Sequence, residues 1–285
     1  TRNTLKLLNH FEIKKPLISN HRHNEEDREN SLIEKLKDGK NIAVVSDAGT
    51  PGISDPGEVI AKRAIEEARS KVASLINCEP DEVYFTSGGS ESDNMAIKGV
   101  ANMARRGHII TSKIEHSAVI HSCQNLERKG FRVTYLDVDK DGMVDLEQLK
   151  KAIRNDTILI SIMFANNEIG TIEPIYEISK IAKMYNIIFH TDAVQAVGNI
   201  PIDVKKMGID MLSMSGHKLH APKGTGALYI RKGIRLDKHI DGGHQEGDKR
   251  AGTENVPGIV GLGKACEIAN EELDASVNKI IDACI

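Results

Sequence analysis

The chain has 285 residues, 40% of them hydrophobic and 28% charged, with a formal net charge of −3. This is the composition of a globular protein long enough to bury one large core or two ordinary ones. It gives no electrostatic case for nucleic acid or an anionic membrane as partner, and no apolar run reaches the roughly 18 residues of a membrane span.

Taken in chain order, the first 68 residues read as a short helix at 5–11, a polar stretch at 21–28, a helix at 31–36 and a strand at 41–45. The turn-rich Ser46-Asp47-Ala48-Gly49-Thr50-Pro51-Gly52-Ile53-Ser54-Asp55-Pro56-Gly57 follows. A helix from Glu58 then runs through Arg69 into Leu75 with no linker. From about residue 82 the pattern changes to short apolar strands alternating with helices. Strands are predicted at 82–85, 108–111, 132–136, 157–162, 186–189 and 209–214, with helices around 95–98, 119–126 and 146–153. Repeated β-then-α with apolar strands predicts an α/β fold with a mainly parallel sheet, whose ligands collect beyond the carboxyl ends of the strands.

Chemistry-bearing residues stand at those ends. Ser215-Gly216-His217-Lys218 follows the strand at 209–214, and Asp192 follows the strand at 186–189. A lysine amine that condenses with an aldehyde, and a carboxylate that keeps a pyridine nitrogen protonated, are what a pyridoxal phosphate enzyme needs. Gly88-Gly89-Ser90 opens a helix after a strand, where N–H groups and a hydroxyl can hold a phosphate. Alone, it reads as a glycine turn with a serine cap. His116, taken by itself, reads as a surface or core histidine. The four cysteines, Cys78, Cys123, Cys266 and Cys284, form no C-x-x-C pair. They read as free, mostly buried thiols of a reducing cytoplasm, and no metal site is expected. The first six residues lack the apolar core of a secretory signal.

Six segments in order carry a resemblance. They are Thr86-Ser87-Gly88-Gly89-Ser90-Glu91-Ser92-Asp93-Asn94, Glu115-His116, Asn166-Asn167-Glu168-Ile169-Gly170, Asp192-Ala193-Val194-Gln195, Ser215-Gly216-His217-Lys218 and Arg250-Ala251-Gly252-Thr253. Over residues 64–285 the chain resembles the cysteine desulfurases of the NifS/IscS type, within the class V aminotransferases. The resemblance implies the pyridoxal phosphate-dependent transferase large domain (fold type I) and pyridoxal 5'-phosphate as cofactor. L-cysteine is the implied substrate, converted to L-alanine with sulfur transfer for iron-sulfur cluster or thio-cofactor assembly. An iron-sulfur scaffold or sulfur-carrier protein is the implied partner.

The resemblance also distributes roles. Gly89, Ser90, Ser215 and His217 take the cofactor phosphate. His116 stacks on the ring and helps move protons. Asn167 and Gln195 contact the ring hydroxyl, and Asp192 pairs with the ring nitrogen. Lys218 carries the cofactor and serves as general base at the substrate Cα. Thr253 reaches the phosphate of a neighbouring subunit, which implies a homodimer. In the family the nucleophilic cysteine loop and the carboxylate-binding arginine lie further towards the C-terminus than Ile285, so sulfur transfer by this chain is expected to be impaired. Other class V activities, selenocysteine lyase or aminotransferase, remain alternatives.

Residues 2–67 resemble something else. Lys6-Leu7-Leu8-Asn9-His10-Phe11, Pro16-Leu17-Ile18-Ser19 and the turn-rich 46–57 segment are similar to the ribosomal RNA ribose methyltransferases of the tetrapyrrole-methylase fold (RsmI type). A fragment of a 16S ribosomal RNA methyltransferase is thus a further alternative. The two resemblances imply a chimera joined near residues 64–69. The expected domains are a partial methylase-like α/β segment at 1–68, a cofactor-binding large domain at 69–262, and the start of a small domain at 263–285.

Overall fold

The structure, a computed structural model, describes residues 2–18, 30–35, 38–43 and 58–284. The chain divides into two compact units, residues 1–67 and 68–285. In the first, helix α1 spans Arg2–His10 and residues 30–35 are helical. Asn41, Ile42 and Ala43 of the expected strand are not in a strand. Val44 and Val45, the polar stretch 21–28 and the turn-rich 46–57 segment lie outside the described residues. Helix α2 is continuous over Glu58–Ile76, as its unbroken pattern predicts.

The second unit is built on a seven-stranded sheet of order β1-β7-β6-β5-β4-β2-β3. Its strands are β1 (Val83–Thr86), β2 (His108–Ser112), β3 (Arg132–Leu136), β4 (Thr157–Ser161), β5 (Ile188–Asp192), β6 (Met211–Ser215) and β7 (Gly226–Ile230). Strands β3, β2, β4, β5 and β6 pair in parallel. Only β7 runs the other way, antiparallel to both β6 and β1. Strand β1 therefore points the same way as the parallel five, and six carboxyl ends gather at one edge of the sheet. Every residue of β2 and of β6 is buried, the signature of a strand covered on both faces, which explains their continuous apolar runs.

Helices α3 (Gly89–Ala104), α4 (Ser117–Arg128), α5 (Leu146–Ala152), α6 (Ile175–Met184) and α7 (Val204–Met207) follow strands β1 to β5 in turn. Helix α3 is the central one. Met95, Ala96, Ile97, Val100 and Ala101 recur at helical spacing and pack with Ile109, Leu159, Met211 and Leu228 of four strands. Its N-terminus is capped by Gly88 at φ +152°, and it stops where Arg105 turns left-handed. Strand β7 comes so close to that N-terminus that a Cβ on Gly226 would lie 2.6 Å from the Gly88 Cα. Only glycine fits there. Helix α8 spans Val256–Cys284 as one element, so the boundary expected at residue 263 falls inside it. Among the described residues no helix is long and apolar enough to cross a membrane.

Candidate active site

Five of the six carboxyl ends converge on one cavity of about 250 Å³. Gly89 and Ser90 line it from the start of α3, and His116 from the N-cap of α4. Asn167 enters from the loop after β4. Asp192 and Gln195 come from the end of β5, and Ser215, His217 and Lys218 from the end of β6. The sheet thus unites every site residue expected from the sequence except Thr253, which is exposed and does not line this cavity. Asp192 is the last residue of β5 rather than a residue beyond it.

Local structure explains each placement. Gly88 offers no side-chain cap, so the first-turn N–H groups of α3 face the cavity with their intrahelical partners missing. A Cβ on Gly89 would lie 2.5 Å from Val194 Cγ2, so the backbone makes a cradle that a side chain would fill. Across it, Ser215 Oγ and His217 Nδ1 are 2.8 Å apart, and the turn Gly216–Leu219 carries Lys218 to the rim. His116 Nδ1 accepts from the Ala118 N–H at 3.2 Å, which leaves Nε2 as the protonated nitrogen of a neutral ring. Asn166 is not a ligand residue: its Nδ2 donates to the Ile114 carbonyl at 3.0 Å and its Oδ1 accepts from the Glu168 N–H at 2.8 Å. It folds the loop that presents Asn167.

The floor is acidic. Asp192 accepts from the Val194 N–H at 3.0 Å, yet burial pushes its carboxyl above the ordinary range. Glu115 accepts from Ser112 Oγ at 2.7 Å and the Met163 N–H at 2.8 Å, and burial pushes it up to about 8. Asp93 lines the cavity with Asp192, whereas Glu115 does not. Although the Ser213 hydroxyl stands beside Asp93, neither of its carboxylate oxygens makes a hydrogen bond of normal geometry. The sequence did not single it out, nor the apolar wall residues Met163 and Val194. One atom each of Asp93, His116 and Asp192 lie within 4.8 Å of one another.

Cys78, Cys123 and Cys266 are free and buried, and none lines the cavity. The side chain of Cys284 lies outside what is described.

A phosphate cradle, a lysine and a carboxyl-lined floor suit a flat, phosphorylated pyridinium carrying an aldehyde. With the mainly parallel sheet, they define fold type I of the pyridoxal phosphate enzymes. The Aminotransferase class-V family matches residues 48–282, and the chain belongs to that family, whose cofactor is pyridoxal 5'-phosphate. Among curated proteins the chain is 63% identical over 218 residues to the cysteine desulfurase IscS of Methanosarcina thermophila, covering 76% of this chain and 54% of that one. It is 60% identical over 223 residues to the IscS of Dictyoglomus turgidum, covering 78% and 57%. It thus spans about half the length of the curated relatives it matches. Among solved structures it is similar to SspA in complex with cysteine, at TM-score 0.75 and 44% identity over 83% of this chain and 68% of that one. A NifS-like protein gives TM-score 0.77 and 41% identity over 90% and 68%.

Proposed function

We propose that this chain carries the cofactor-binding half of the site of a pyridoxal phosphate-dependent cysteine desulfurase acting on L-cysteine. The observation that carries the reading is that Lys218 and Asp192, from adjacent strands, line the same cavity as the Gly89 and Ser90 cradle. The bound cofactor supplies an electron sink for bond changes at the substrate Cα. Gly89, Ser90, Ser215 and His217 hold its phosphate. Asn167 and Gln195 contact the ring hydroxyl, and Asp192 keeps the ring nitrogen protonated. Lys218 would hold the cofactor through its aldehyde and would move a proton at the substrate Cα. His116, its Nε2 protonated, closes one face of the ring. Thr253, exposed outside this cavity, serves the phosphate of a second copy, so the working form is a homodimer.

The test is the visible absorption spectrum of the purified chain with added pyridoxal phosphate, beside Lys218→Ala. A cofactor band present only with Lys218 is expected, and its absence from soluble wild-type protein would remove the reading. Alanine formed from L-cysteine, rather than products from selenocysteine or keto acids, identifies the desulfurase activity within the family. A sulfur-carrier or iron-sulfur scaffold protein is the acceptor class for that product.

The origin of residues 2–67 is a separate part of the reading. Their motifs support descent from a ribosomal RNA ribose methyltransferase, joined to the desulfurase-like part near residues 64–69. A genomic amplicon spanning residues 60–75 is the expected result for an inherited chimera, and failure to obtain it would exclude one.

A further inference from the structure

Asp93 has no task in the function just described, yet it occupies the floor of that cavity. It sits on α3 one turn after Ser90, fully buried, with both carboxylate oxygens unpartnered. A buried ionised carboxylate without hydrogen bonds is among the most costly groups a fold can hold. Its surroundings relieve little of the cost: the Ser213 hydroxyl of β6 is the one hydrogen-bonding group beside it, and it is shared with His190. From β5 come Asp192 and His190, from the segment after β2 Glu115, and from the N-cap of α4 His116. His190 Nε2 lies 3.7 Å from Asp93 Oδ1, but its two nitrogens are already engaged by Ser161 Oγ and Ser213 Oγ at 2.9 Å each. Burial pushes His190 down to about 3, so it is a neutral imidazole.

Two carboxyls this close in the interior do not both ionise; one keeps a proton. Asp192 has the Val194 backbone N–H to stabilise a negative charge and keeps some exposure, whereas Asp93 is fully enclosed and has beside it only the Ser213 hydroxyl, which is shared with His190 Nε2. The proton therefore belongs on Asp93 and the charge on Asp192. A protonated carboxyl carries an O–H that needs an acceptor. The strongest acceptor within reach is the Asp192 carboxylate, with ligand atoms of the two groups within 4.8 Å. That separation is longer than a hydrogen bond, so the contact requires the two carboxyls to turn towards each other about their soft terminal torsions.

We propose that Asp93 is a positioning residue for Asp192: as a neutral acid it gives its O–H to the Asp192 carboxylate, aims it into the cavity and leaves it the single anion facing the cofactor ring nitrogen. This role rests on the cofactor reading above. It explains why α3 places a carboxyl where an apolar residue would otherwise pack.

The test separates a neutral donor from a second anion and from a mere filler. In cofactor-free wild type near neutral pH, the infrared spectrum should show a protonated-carboxyl component additional to that of Glu115, which is lost in Asp93→Asn; no difference between the two would overturn the proposal. Asn keeps the shape and an N–H donor, so Asp93→Asn should bind pyridoxal phosphate within about threefold of wild type. Asp93→Leu has no donor and should lose about tenfold or more. With cofactor labelled at the ring nitrogen, the 15N signal should report a protonated nitrogen in wild type and Asp93→Asn, and a shift towards the unprotonated form in Asp93→Leu. Equal losses in Asn and Leu would make Asp93 a needed anion, and no loss in Leu would make it filler; either overturns the proposal. If Asp93→Leu fails to fold by circular dichroism, the infrared and binding results of Asp93→Asn decide alone. Failure of wild type to bind the cofactor would remove the cofactor reading and this role with it, whereas binding without the additional carboxyl component would remove the role alone.

Discussion

Arg250 reaches back to α3, whose start forms the backbone cradle at Gly89, its Nε donating to Glu91 Oε1 at 2.8 Å. Glu91 also accepts from the Ser87 N–H at 2.8 Å, so one carboxylate fastens both the loop bearing Thr253 and the turn before Gly89. The pair is mostly shielded, with side chains 21% and 12% exposed. Burial opposes ionisation of Glu91, but the hydrogen bonds from Arg250 and Ser87 outweigh it and hold the carboxyl below its ordinary value. Arg250→Ala is expected to cost about 2 kcal/mol of stability. A double-mutant cycle with Glu91→Ala should show coupling of about 1–3 kcal/mol. Because the folded value is depressed, this contribution is present above the unfolded carboxylate value of 4.5 and fades as pH falls through the lower folded one. Urea titrations of the four proteins at neutral and acid pH check both statements.

Glu115 carries the opposite sign. Burial raises it from 4.5 to about 8, so the folded state holds a proton that the unfolded chain has released. Its contribution to stability falls as pH rises from 4.5 to about 8, by up to about 1.4 kcal/mol per pH unit. In Glu115→Gln this slope should vanish, while the bond from the Met163 N–H keeps an oxygen acceptor. A difference between wild type and variant that stays flat with pH would show Glu115 ionised in the fold.

Crowding at the cradle gives a compensation test. Adding a methyl at Gly89 drives it to 2.5 Å from Val194 Cγ2, and a β-branched valine has few rotamers with which to yield. Gly89→Ala should cost about 1–3 kcal/mol of stability and weaken cofactor binding. Adding Val194→Ala should restore most of both. Loss of binding without recovery in the double variant would point instead to the helix N–H groups being displaced.

Much of this arrangement was legible because parallel strands buried on both faces write themselves as apolar runs. The motif residues at their ends then fall together by topology alone. Strand β7 is not legible in the sequence: Gly226-Ala227-Leu228-Tyr229-Ile230 is apolar enough, but its direction depends on pairing with β1, far away in sequence. Asp93 does not stand out in the sequence because one polar residue in a helix is ordinary. Its burial appears only when β5 and β6 are laid beneath α3. Asn166 and Asn167 are indistinguishable as a dipeptide, and the loop decides which one turns inward. The strand expected at 41–45 rested on propensity alone, and its described residues 41–43 pair with nothing in a sheet.

The cysteines bear on sulfur transfer. Cys78, Cys123 and Cys266 are buried, and burial pushes each thiol up to about 12. At pH 8 that leaves about one thiolate in ten thousand, and the thiolate is the form that attacks sulfur or alkylating agents. None of the three lines the cavity that holds Lys218. These residues are therefore expected to resist iodoacetamide in the native protein and to react once it is unfolded in urea. Incubation with pyridoxal phosphate and L-cysteine should leave no persulfide on any of them, as read by mass spectrometry of alkylated peptides. A persulfide on Cys123 or Cys266 would mean that the core around α4 or α8 opens to the substrate. Without such a persulfide, the desulfurase reading proposed above requires an acceptor thiol from outside these three positions.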